Sequence, residues 1–109
     1  MATKPNLTFT SSDLYGWAYH PLTVSHVVGE VSVGTSATKI PTTALAGRRS
    51  LTILNIGSAP IYLGASAVTV AAGFRLDAGA FWTFNVGDDV DIYGIASGSA
   101  VLTRIMELK

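Results

Sequence analysis

The fold is decided by residues 50–64, which read SLTILNIGSAPIYLG. Two apolar runs, rich in β-branched and aliphatic side chains, flank a Gly-Ser-Ala-Pro segment that favours a turn. Within the first run Leu51 and Ile53 share one phase of the strand alternation, whereas Leu54 and Ile56 share the other. This change of phase predicts a β-bulge or a strand that is covered on both faces.

Strand patterns of this kind continue in both directions, separated by turn residues every ~8–12 positions. Nine stretches carry strand-like apolar positions, which predicts about eight short strands: 27–33, 37–40, 50–56, 61–63, 68–70, 74–76, 80–86, 90–95 and 100–108. No stretch shows a ten-residue helical period, so a parallel βαβ architecture is disfavoured. The pattern is typical of an all-β antiparallel sandwich or a closed barrel.

The uncharged run 50–74 is long enough to span a bilayer. Its glycines and Pro60 divide it into pieces of strand length, which predicts strands rather than a transmembrane helix. The first ten residues are polar and lack the apolar core of a secretory signal.

Residues 1–26 differ from the rest of the chain, because they are polar and show no regular period. Gly16 and Pro21 disfavour a long helix there. We therefore predict an extended N-terminal arm, residues 1–26, followed by a β-sandwich domain, residues 27–109. The aromatic side chains of this arm either fold back on the domain's own core or dock on a neighbouring subunit; they include Phe9, Tyr15, Trp17 and Tyr19.

The composition favours assembly over electrostatic recognition. The chain has 109 residues, of which 49% are hydrophobic and 13% charged, and its formal net charge is zero. A nucleic-acid binder usually carries a basic patch, so this class is disfavoured. Proteins near zero net charge tend to self-associate, which suggests that the apolar excess is buried between chains.

The sequence offers no constellation for catalysis. It has no cysteine, which excludes disulfides, zinc–thiolate sites and thiol nucleophiles. His20 and His26 are the candidate bases, and neither lies near a nucleophile pattern or at a chelating spacing. Asp88, Asp89 and Asp91 fit either a solvated hairpin turn or, less well, a calcium site. We therefore predict no enzyme activity, no cofactor and no metal.

Three features are candidates for contact with other molecules. The pair Arg48–Arg49 lies in a loop before a strand and either contacts an acidic partner surface or is solvated. Aromatic residues at 17, 62, 82 and 93 could form a sugar-stacking platform, although Trp82 shares the phase of Phe84, which favours core packing. In the last strand Leu102, Met106 and Leu108 share one face, and we expect this face or that of Phe81 to lie in a subunit interface.

Residues 43–108 resemble small virion proteins of tailed bacteriophages, especially capsid decoration (cement) proteins and head-fibre modules. The residues that carry the resemblance read ALAGRRSLTI at 44–53, NIGSAPIYLG at 55–64 and GDDVDIYGIA at 87–96. The match covers about two thirds of the chain and does not extend to the N-terminal arm.

The resemblance implies a jelly-roll-like β-sandwich, often a homotrimer, on the outer surface of the virion capsid. Such a protein bridges neighbouring copies of the major capsid protein and stabilises the particle against the pressure of packaged DNA. It needs no direct contact with nucleic acid or a membrane. The aromatic residues of the arm and the two loop arginines together give the expected partner interface: Phe9, Tyr15, Trp17, Tyr19, Arg48 and Arg49. The alternative is a tail, fibre or head-fibre module that binds a host-surface glycan or receptor.

Overall fold

The computed structural model describes residues 26–109, so the predicted arm lies outside the described residues apart from His26. Eight strands and no helix make up this part of the chain. They are β1 (His26–Val33), β2 (Thr38–Ile40), β3 (Ser50–Asn55), β4 (Ile61–Gly64), β5 (Phe74–Leu76), β6 (Phe81–Phe84), β7 (Ile92–Ala96) and β8 (Val101–Leu108). No helix in this range is long and apolar enough to cross a membrane.

The strands form two four-stranded antiparallel sheets, ordered β1-β8-β3-β6 in sheet A and β2-β7-β4-β5 in sheet B. The first strand pairs with the last, the second with the seventh, the third with the sixth and the fourth with the fifth. The chain is therefore one long antiparallel ribbon, rolled so that β3 also meets β8 and β4 also meets β7. This is the strand order of a jelly roll, which confirms the predicted fold class.

The core lies between the sheets and follows from strict alternation along each strand. In β8 every second side chain from Val101 to Glu107 is buried, and the side chains between them are exposed. The buried apolar cluster takes residues from both sheets: Val33, Ile40, Leu51, Ile53, Ile61, Leu63, Leu76, Ala96, Val101 and Ile105. The core thus requires an apolar residue only at every second position of a strand. The outward-facing positions between them are free to be polar or to contact other molecules.

The phase change in β3 has a simple outcome. Leu51 and Ile53 point into the core, and Leu54 points to the opposite side of the sheet, with Ile56 exposed just beyond the strand. The register with β8 runs without interruption from Ser50 to Asn55. Both faces of this strand therefore carry apolar side chains, and no bulge is present in it.

One predicted strand is wrong. Val68 and Val70 lie in consecutive turns, closed by bonds such as the one from the Val68 amide to the Ala65 carbonyl at 2.9 Å. Gly64 and Gly73 leave room for the Val68 side chain, because a Cβ atom at either position would approach Val68 Cγ2 to 3.0 Å or less. The alternating valines look like a strand, but the flanking glycines let one of them fold back over β4.

Candidate interaction surfaces

The outer face of sheet A is the side that points away from the core. Its position follows from the pairing register and from the burial of every second residue. It comprises His26, Val28, Glu30 and Ser32 on β1, Leu102, Arg104, Met106 and Leu108 on β8, Ser50, Thr52 and Leu54 on β3, and Phe81 and Thr83 on β6.

Large apolar side chains on this face are exposed. Phe81 is 64% exposed and Val28 is 60% exposed, with Leu102, Met106 and Leu108 close to 40%. Neighbouring strands bring these side chains together, because Val28 pairs with Met106 and Leu54 pairs with Phe81. Contiguous apolar surface of this kind marks an interaction site more often than an ordinary monomer surface.

A shallow depression of about 170 Å³ lies on this face, over the middle of β8. Its lining is almost entirely apolar in character and consists of Val28, Thr52, Leu54, Arg104, Ile105 and Met106. Beside it the Phe81 ring projects from the adjacent row of the sheet. The outer face of sheet A therefore offers both an apolar projection and an apolar recess.

Charge on this face is balanced. Arg104 Nε donates to Glu30 Oε2 at 2.9 Å, and both side chains are about half exposed. The two residues are direct partners in the β1–β8 register. The described strand residues of this face therefore carry no excess of positive or negative charge.

A second exposed feature joins the edge strands β5 and β6. Phe74 and Trp82 are each 52% exposed, and their rings meet edge to face with centroids 5.7 Å apart. Beside them Arg75 donates to Asp77, and this bond raises the pKa of the Arg75 guanidinium, which stays charged. Trp82 does have the inward phase predicted for it, opposite Ile53. It is nevertheless not a core residue, because β6 is an edge strand and no further strand covers it.

Arg48 lies inside the protein, contrary to the expectation that it faces a partner. Its side chain and that of Glu107 are each 1% exposed, and Arg48 Nη1 donates to Glu107 Oε2 at 2.8 Å. The remaining donors bond the backbone carbonyls of Gly87 and Val90. Arg48 thus joins three segments of this chain and is unavailable to another, whereas Arg49 is exposed.

The acidic turn predicted at 87–89 is present, and its carboxylates serve the chain itself. Asp88 Oδ2 accepts a hydrogen bond from the Gly47 amide at 2.8 Å. Asp91 pairs with Lys39 at 3.5 Å. Within residues 26–109 no group of three or more potential ligands could hold a metal ion. Two of the three carboxylates of this turn are therefore engaged by groups of the same chain.

The remaining predicted contact residues, Phe9, Tyr15, Trp17 and Tyr19, lie outside the described residues, as does His20. His26 opens β1 and is exposed. The sequence reasoning missed Phe74 as an exposed aromatic residue. The sequence carried a sign of this exposure. Phe74 lies in a three-residue strand next to a turn, as at a sheet edge, where an inward phase does not ensure burial.

The fold places the chain among small β-sandwich proteins with jelly-roll strand order. It is similar to a solved structure of Bacillus endospore appendages, which form a novel family of disulfide-linked pili. The TM-score is 0.54 at 14% sequence identity, over 79% of this chain and 84% of that one. The likeness shows the fold alone, and the 109 residues contain no cysteine for such a linkage. No family model and no curated protein matches the chain.

Proposed function

We propose that this chain is a structural protein of a tailed-bacteriophage particle, which binds the outer surface of the capsid and stabilises it. The observation that carries the proposal is the outer face of sheet A, where apolar side chains such as Phe81 and Val28 are exposed although the core is complete without them. A fold that leaves five large apolar side chains exposed on one face of a sheet, Val28, Phe81, Leu102, Met106 and Leu108, gains from a protein partner.

Three further observations support an assembly role. The sequence of residues 43–108 resembles capsid decoration proteins, and the jelly roll is an architecture that virion proteins use. The net charge of zero removes repulsion between many copies on one particle. The structural neighbour comes from endospore appendages that form pili, and an assembly role for this chain is in line with that.

Binding to particles tests this proposal directly. Capsids produced without the protein are mixed with purified protein and sedimented. We expect saturable co-sedimentation and a higher temperature for release of packaged DNA. A protein that remains in the supernatant at every concentration would refute the capsid role.

The arm and Arg49 are the next elements to test on the same particles. Deletion of residues 1–22 is expected to abolish capsid binding, while the circular dichroism of the sandwich is unchanged. Arg49→Glu should weaken binding if this exposed side chain meets an acidic capsid surface. Arg75→Glu is the matched control, because Arg75 is also exposed but lies on β5 and not in the loop that holds Arg49. Full binding by the truncated protein would count against the arm as the anchor.

The second candidate function is a tail, fibre or head-fibre module that recognises a host-surface glycan. The exposed Phe74–Trp82 pair favours it, because aromatic faces stack on sugar rings and this pair lies at an open sheet edge. A glycan array with the purified protein tests it. Binding that is lost in Trp82→Ala and kept in Phe81→Ala, an exposed aromatic residue on the other surface, would establish this function instead.

A further inference from the structure

The strand rows of sheet A bring a projection and a recess onto one face. In one row Glu30, Arg104, Leu54 and Phe81 follow each other across the four strands, and in the next row Val28, Met106, Thr52 and Thr83 do so. The recess lies over β8 and β3, and the Phe81 ring stands on β6, the adjacent edge strand. Adjacent strands are ~4.8 Å apart, so the projection and the recess are separated by roughly 10 Å or less.

The recess has the size and chemistry for an aromatic ring. Its volume is about 170 Å³ and its lining is apolar. An apolar protein cavity of ~150 Å³ accommodates benzene. A phenyl ring such as that of Phe81 is therefore a suitable occupant. Phe81 of the same chain is 64% exposed and is not among the residues that line the recess. The recess can therefore take a ring from a second molecule.

We propose that two copies of this chain pair through the outer faces of sheet A about a two-fold axis, each inserting Phe81 into the recess of the other. A two-fold interface uses the same patch on both partners, so it requires a patch that contains both complementary elements. The outer face of sheet A meets this requirement.

Charge and area agree with a second copy as the partner. The one Glu30–Arg104 pair keeps the described strand residues of the face neutral, so two identical faces do not repel each other. An anionic lipid surface would need an excess of basic side chains, which this face lacks over the described strands. The four strands of sheet A have eight, eight, six and four residues and cover roughly 400 Å². Two such faces bury roughly 800 Å², the area of a weak and reversible interface.

Face-to-face packing makes pairs, because a flat sheet can cover only one other sheet. The inference therefore differs from the trimer implied by the resemblance, and it does not depend on the capsid role. In the pair the outer face of sheet A is covered, so contact with a capsid falls to the N-terminal arm and the exposed Arg49. A failure of the capsid role appears as loss of co-sedimentation with particles, whereas a failure of this inference appears in the mass of the free protein.

The first test measures the mass of the full-length protein by analytical ultracentrifugation over a wide concentration range. We expect a monomer–dimer equilibrium. Phe81→Ala should raise the dimer dissociation constant at least ~10-fold, as the loss of a central aromatic anchor does. Phe74→Ala, which removes an exposed phenylalanine from sheet B, should leave the constant unchanged. A monomer at all concentrations, a trimer, or equal effects of the two variants would overturn the proposal.

The second test uses complementary variants. Met106→Trp fills the recess and should prevent pairing of that variant with itself. Mixed with Phe81→Ala, it should form a 1:1 heterodimer. The Met106→Trp variant supplies Phe81, which enters the open recess of the Phe81→Ala variant. At the other site the introduced tryptophan occupies its own recess, opposite the alanine. Native mass spectrometry detects this species. Its absence, with both variants folded by circular dichroism, would refute the insertion of Phe81.

Discussion

The inner face of sheet A holds buried polar side chains, whereas its outer face holds exposed apolar ones. Asn55, Thr103 and Glu107 are fully buried or nearly so on the inner side. Phe81 and Met106, on the outer side, are 64% and 43% exposed. The inner face is otherwise apolar and includes Leu51, Ile53 and Ile105 of the core, so both sets are exceptions to the usual distribution of polar and apolar residues.

The buried polar side chains are stable on the inner face because each has hydrogen-bond partners. Asn55 Nδ2 donates to the carbonyls of Ala59 and Leu76, and its Oδ1 accepts from the Gly57 amide. Thr103 Oγ1 donates to the Val31 carbonyl at 2.8 Å. Buried polar groups with complete hydrogen bonding cost little, and they fix the loops around the core. The inner face therefore specifies the fold, and the outer face is free to specify contacts.

The largest expected difference between the faces concerns the two ion pairs. Arg48→Met leaves the Glu107 carboxylate buried without its cation, and removal of one partner of a buried pair costs about 3–5 kcal/mol. Arg104→Met removes the matching cation of the exposed pair and should cost about 1 kcal/mol or less. Urea unfolding monitored by tryptophan fluorescence measures both free energies.

A double variant separates the loss of the pair from the exposure of a lone charge. Arg48→Met combined with Glu107→Leu removes both buried charges, and we expect it to recover much of the stability lost in Arg48→Met alone. If the two single arginine variants were equally stable, the distinction between an inner and an outer ion pair would be wrong.

Neighbouring residues of β8 allow the same comparison for apolar side chains. Ile105 belongs to the buried cluster, so Ile105→Ala should cost about 2–5 kcal/mol through lost burial and a new cavity. Met106 points to the outer face, so Met106→Ala should change the free energy of unfolding of the monomer by about 0.5 kcal/mol or less.

Dilute conditions are needed for this comparison, because any association through the outer face would add stability to the wild-type protein. Measured far below the dimer dissociation constant, the two variants should differ as stated. A destabilisation by Met106→Ala that matched that of Ile105→Ala, and persisted on dilution, would show that the outer face belongs to the core.

Much of the fold could be predicted from the sequence, because alternation and turn residues are local signals. The shared face of Leu102, Met106 and Leu108 in β8 was predicted and is confirmed, because these side chains are exposed and alternate with buried ones. The assignment of a face to the core is not local. Trp82 has an inward phase and is still exposed, since its burial depends on which strand forms the sheet edge.

The site was harder to predict than the fold. Arg48 and Arg49 are adjacent in the sequence and equal in charge, but one is buried and the other exposed. The difference arises from Glu107, which is far away in the sequence. The alternation of β8 places its side chain in the interior, where it pairs with Arg48. An arginine in a loop gives no local sign of such a partner.

The smallest effect that still separates the faces concerns two threonines. Thr103 lies on the inner face and bonds the Val31 carbonyl, whereas Thr52 lies on the outer face and bonds the Thr83 hydroxyl at 2.8 Å. Thr103→Val replaces a buried hydroxyl with a methyl group and should cost about 1 kcal/mol, which lowers the melting temperature by about 4–8 °C. Thr52→Val loses a bond that water can replace and gains strand propensity, so its melting temperature should stay within about 2 °C of wild type. Differential scanning calorimetry resolves both changes. Because the two substitutions are chemically identical, equal shifts would mean that the hydrogen bonds of the inner face contribute no more than those in solvent.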